Sequence, residues 1–93
     1  MPYIPAEDRP AIDAAVAPLA RAVREAAQAR DASFEGHLNY ALTRLVLEVL
    51  PERRYASIAR ATGVLENVKQ EFYRRYAAPY EDEQRARSGD VYP

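Results

Sequence analysis

The side chains with the most chemistry to offer lie between Asn39 and Glu83. Glu66, Lys69, Gln70, Tyr73 and Arg74 recur at steps of three and four, so on a helix they would share one flank. Arg74 and Arg75, followed by Tyr76 and Tyr80, bring together guanidinium forks and phenol hydroxyls, a donor set that suits phosphate and other anions. Upstream, Asn39 lies one position past an apolar stripe with Tyr40 and Arg44 close by, and a side-chain amide placed there needs a hydrogen-bond partner. The candidate ligand-binding residues are therefore Asn39, Tyr40, Arg44, Glu66, Lys69, Tyr73, Arg74, Arg75 and Tyr80. The ligand they would suit is a small anion, such as a nucleotide or another phosphorylated metabolite.

Each of these has a plainer reading, which we prefer. Asn39 would be a buried polar tie to a later helix or to the N-terminal segment. The flank from Glu66 to Arg74 would be a solvated, ion-paired surface. Arg74 and Arg75 would pair with Glu81, Asp82 and Glu83 just beyond them. Glu66 and Glu71 are five residues apart and point to different helix faces, so they are not a paired general acid and base on one helix. The run Glu81-Asp82-Glu83 lacks the alternating ligands and central glycine of a calcium loop. His37 is the single histidine and has no second ligand at a metal-binding spacing, so it reads as an exposed or capping residue. Ser33, Thr43, Ser57 and Thr62 have no histidine base at a recognisable motif spacing. With no catalytic residue, metal set or cofactor motif in view, the reading leans away from an enzyme.

The elements that must position these residues follow from apolar spacing. Ile58, Ala61, Leu65, Val68, Phe72 and Tyr76 step by three and four, which predicts a long helix from about Tyr55 to Ala77, ended by Pro79. The charged run from Tyr80 to Arg87 would prolong its direction for a turn or two at most, before the turn signal Ser88-Gly89-Asp90 and a short tail. Leu38, Leu42, Leu45 and Val49 predict a second helix over about 35–50, capped by Asp31 or Ser33 and stopped before Pro51. Ile12, Val16, Leu19 and Val23 predict a first helix over about 10–30, with Asp8 as its cap and Pro10 in its first turn. Pro18 would either kink that helix or mark its start. A link of about four residues makes helices two and three antiparallel neighbours with facing stripes, and helix one lies across them. The expected fold is all-α: one three-helix domain with a long C-terminal helix and a charged tail.

Composition narrows the function classes. The chain has 93 residues, 48% of them hydrophobic and 29% charged, as in an ordinary globular protein. Its 13 basic and 14 acidic residues nearly cancel, which lends nucleic-acid binding no support. There is no cysteine, hence no disulfide and no thiolate. Met1 to Pro10 has neither the basic nor the apolar region of a secretory signal, and no apolar run approaches the roughly 20 residues of a membrane span, so a cytoplasmic protein is expected. A chain this short buries only about 60 to 65% of its extended surface alone. Seven tyrosines with no tryptophan suit surfaces where one edge packs and the other stays wet. Gly63, inside the long helix, would let another helix come close. Self-association is expected, and a further protein partner is compatible with it.

Several blocks resemble a known family. They are Gly36-x-Leu38-Asn39-Tyr40, Thr43-Arg44-Leu45, Tyr55-x-x-Ile58, Gly63-Val64-Leu65-Glu66-x-x-Lys69-x-Glu71-Phe72-Tyr73-Arg74-Arg75, Ala78-Pro79-Tyr80-Glu81-Asp82 and Gly89-Asp90-Val91-Tyr92. Met1-Pro2-Tyr3-Ile4 and Glu7-Asp8-Arg9 complete a likeness that runs almost end to end. The chain is similar to a family of small all-helical proteins of unknown function found in phages, bacteria and archaea. That resemblance implies an all-α fold and assigns no activity. Members usually carry an acidic residue at the position of His37 and often a lysine at that of Gln84, so this chain departs from the family's charge pattern there. The resulting expectation is a non-enzymatic, homo-oligomeric interaction module, of the accessory kind common in phages, with the small-anion binder as its alternative.

Overall fold

A computed structural model describes residues 2–93, which leaves Met1 of the opening motif outside the described residues. The fold is all-α, and no strand occurs among the described residues. A single 3-10 turn, Ala6–Asp8, leads into α1 (Arg9–Ala29), followed by α2 (Glu35–Val49) and α3 (Tyr55–Phe72). The chain then passes through a π-helical turn, Tyr73–Ala77, into α4 (Ala78–Ser88).

Prolines and a left-handed aspartate set these boundaries. Pro10 occupies the first turn of α1, where its missing N–H has no partner to lose. The helix continues through Pro18 and does not begin there. Asp8 holds the N-cap position without using its side chain as a cap. At the other end, Asp31 adopts a φ of 51°, the Ala32 N–H bonds the Ala27 carbonyl at 2.9 Å, and the Asp31 N–H bonds that of Gln28 at 3.0 Å. Those two bonds make a Schellman cap, with aspartate in the place glycine usually takes. The expected N-caps of α2 therefore have other roles: Phe34 is its N-cap, and the proximity of the Ser33 side chain, ahead of Glu35's own backbone, lowers the Glu35 pKa.

Pro79 does not end the long helix. Proline in a helix clashes with the carbonyl four residues back. Here the preceding turn opens to π geometry, with the Ala78 N–H bonding the Tyr73 carbonyl five residues back, and Pro79 falls in the first turn of the segment that follows. The charged run is consequently helical to Ser88, where Gly89 closes it at φ 84°. From Tyr55 to Ser88 the backbone is one unbroken helical rod.

Packing between these helices is sparse. α1 lies on α2, and the N-terminal segment is tied to the far end of α3 by a bond from the Tyr3 hydroxyl to Glu71 Oε1 at 2.9 Å. α2 and α3, joined through Leu50–Arg54, flank a shared apolar groove. Among the described residues, Ala27 is the one hydrophobic side chain that is fully buried. The stripes that define the helices are left largely open: Val23 and Ala61 are half-buried, but Leu19 and Leu38 are 44% and 40% exposed. The solvent-accessible surface is 8546 Å², whereas a compact chain of this mass would expose about 5,400 Å². The radius of gyration, 17.0 Å, likewise exceeds the roughly 12 Å of a compact domain of this length.

Candidate functional site

α2 is the element around which the cavities gather, because both of its flanks are apolar. On the side of α1, Leu19, Val23, His37, Tyr40, Arg44 and Glu48 surround a cleft. His37 is half-buried there, between the two helices, which corrects its reading as an exposed or capping residue. The reason is its position one turn before Ala41, on the flank of α2 that α1 covers. Arg44 pairs with Glu48 at 3.3 Å across one turn. On the opposite side, Asn39, Leu42, Val46 and Leu47 line an open cleft with Leu65 of α3. Asn39 is exposed, and its Oδ1 accepts a 3.3 Å bond from the Thr43 hydroxyl on its own helix. It makes no tie to α3 or to the N-terminal segment, because the space between α2 and α3 is open and water reaches the amide.

The α3 candidates settle into local pairs. Glu66 accepts from Gln70 at 3.1 Å and pairs with Lys69 at 3.2 Å, and these contacts, the Gln70 bond first, hold its carboxyl below the usual pKa. Arg74 pairs with Glu71, not with the acidic run beyond it. In a continuous helix Glu81 lies two turns away from Arg74, whereas Glu71 lies one turn back on the same side. Glu71 is the least exposed of the ion-paired carboxylates, at 17%, and it also receives the Tyr3 hydroxyl. Asp82 pairs with Arg85 at 3.4 Å. The Tyr73 hydroxyl donates to Glu81, a bond that spans the π-helical turn and, with the nearby charge of Glu81, raises the Tyr73 pKa. Tyr80 is exposed.

The structure does not bring the nine candidates together: three lie on α2, Glu66 and Lys69 on α3, Tyr73, Arg74 and Arg75 in the π-helical turn and Tyr80 on α4, the last three exposed. Asn39 and Tyr40 share a shallow surface with Thr43, and Arg44 faces α1. By helix rotation, Glu66, Lys69 and Tyr73 lie on a flank of α3 turned well away from the groove it shares with α2. Each charged member whose partner the structure defines is neutralised by a neighbour on its own helix. Surface pairs of this sort contribute about 0 to 1 kcal/mol each. Among the described residues there is no group of three or more His, Cys, Asp or Glu side chains placed to hold a metal ion, and no helix is long and apolar enough to cross a membrane.

The most apolar of the clefts is the groove between α2 and α3, a cavity of about 390 Å³ walled by Leu45, Val46 and Val49 on one side and Ala61, Val64 and Leu65 on the other. Arg60 supplies the charge on its lining. Further along the rod, Val68, Phe72 and Tyr76 extend the same apolar face, all more than half exposed, with the rings of Phe72 and Tyr76 stacked at 5.2 Å. Reading the sequence missed the Tyr3–Glu71 tie and the π-helical turn. The first had no local signal, while a proline inside an unbroken helical pattern was a signal for the second.

No curated protein and no solved structure matches the chain. A family model described as Domain of unknown function (DUF6899) matches residues 1–91.

Proposed function

The chain belongs to that family, and from its own residues we propose that it is a non-enzymatic, homo-oligomeric interaction module. The observation that carries this reading is the uncovered apolar face on each of α1, α2 and α3. Ile12 and Val16 on α1, Leu42 and Leu45 on α2, and Ile58 and Leu65 on α3 are all between 46% and 54% exposed. An amphipathic helix gains its stability by burying such a stripe, and here no stripe is closed. The surplus over a compact chain is about 3,000 Å², while each partner in an obligate dimer gives up roughly 1,000 to 2,500 Å². Association on that scale would remove much of the mismatch without any change of helix. The small-anion alternative draws less support, because Lys69, Arg74 and Arg44 each already hold a carboxylate.

Native mass spectrometry of the full chain, purified gently from cells, tests the reading. A single defined multiple of the 10.5 kDa protomer is the expected result. A monomer at micromolar concentration would overturn it, and an oligomer retaining a bound anion would restore the alternative.

A further inference from the structure

The geometry points to α3 of a second copy of this chain as the occupant of the groove between α2 and α3, an inference that rests on the homo-oligomeric reading. Four observations select this occupant. First, α3 supplies both one wall of the groove, through Val64 and Leu65, and the apolar ridge that continues from it through Val68 and Phe72. A helix that is wall and ridge at once pairs with its own copy about a two-fold axis, since each protomer then offers the surface the other needs. Second, the chain as a whole has area to give: its surplus surface of about 3,000 Å² leaves room for an obligate interface of roughly 1,000 to 2,500 Å² per partner that includes this groove, well above a standard transient one of about 800 Å². Third, a chain this open depends on its cover in order to fold, and another copy is the partner present wherever the chain is made. Fourth, the formal net charge is −1 and the groove carries one arginine, so two copies meet without strong repulsion.

The test uses the absence of native cysteine, which makes single-cysteine variants clean reporters. Leu65→Cys and Val68→Cys place a thiol on the groove face of α3, and Ala59→Cys places one on its opposite face. Under mild oxidation of the intact oligomer, a disulfide-linked dimer is expected from Leu65→Cys or Val68→Cys at a rate at least tenfold that of Ala59→Cys. If the chain is oligomeric yet neither groove-face thiol links, or Ala59→Cys links as fast, this pairing is wrong while the oligomeric reading stands. If wild type is monomeric by mass, both fail together. Circular dichroism confirms that each variant keeps its helix content before oxidation.

Discussion

At the residue scale, what holds this chain is a set of short-range bonds with small individual worth. Glu66 with Gln70 and Lys69, Arg44 with Glu48, and Arg85 with Asp82 each span one helical turn. The ion-paired flank from Glu66 was legible in the sequence, because spacing by three or four fixes who can meet whom once the helix is granted. Asp82, expected to pair with Arg74 and Arg75, pairs with Arg85 instead. The partner of Arg74 was not legible: assigning it depended on whether the helix stopped at Pro79, and the continuous helix puts Glu71 within reach instead. Tyr3 with Glu71 was beyond sequence reasoning altogether, since 68 residues separate them. One residue-scale pair gives a pH signature. Glu81 raises the Tyr73 pKa by accepting its proton in a hydrogen bond and by its charge. That bond contributes fully below the ordinary tyrosine value of about 10 and is lost as pH rises through the raised value. In a tyrosinate absorbance titration, Glu81→Gln should move one phenol to lower pH, and Tyr73→Phe should delete the same late-titrating phenol. A titration unchanged by Glu81→Gln would show that the bond does not form in solution.

At the scale of elements, the three apolar stripes were legible because a period near 3.6 has no other reading over so many residues. Endings were less so. Asp31 looked like a cap for the helix ahead, yet aspartate tolerates the left-handed conformation well enough to close the helix behind it. Pro79 looked like a stop, because a proline removes a donor and clashes one turn back, but one inserted residue in the turn before it accommodates the ring. This account makes the π turn a consequence of Pro79. Pro79→Ala should let Tyr73–Ala77 return to α geometry, raising stability by roughly 1 kcal/mol, less than the ~3 kcal/mol of an unrelieved interior proline. Loss of the extra residue would also turn α4 by about 100° relative to α3. Hydrogen exchange should report slower amides over 75–79 in the variant. Unchanged exchange there would mean that the π turn has another cause.

At the scale of the whole molecule, the helices are well formed and poorly covered. Sequence periodicity specifies which face of a helix is apolar, but nothing in it says whether the cover comes from the same chain or another. Small size and tyrosine use pointed to self-association, and the open stripes on α1, α2 and α3 are the surfaces on which the proposal of association rests. The candidate anion site was legible only as residue types. Its members fall on different flanks because α2 and α3 present their polar sides in different directions. Gly63 illustrates the same limit, since a methyl group added there would meet nothing within 4 Å in its own chain.

If folding and association are one process, stability must depend on concentration, because mass action favours the bound, folded state as protein is added. The decisive measurement is the thermal midpoint of the full chain across a hundredfold range of protein concentration. The account requires the midpoint to climb steadily with concentration. A midpoint that stays fixed across that range, with a sharp cooperative transition and a monomeric mass, would contradict it.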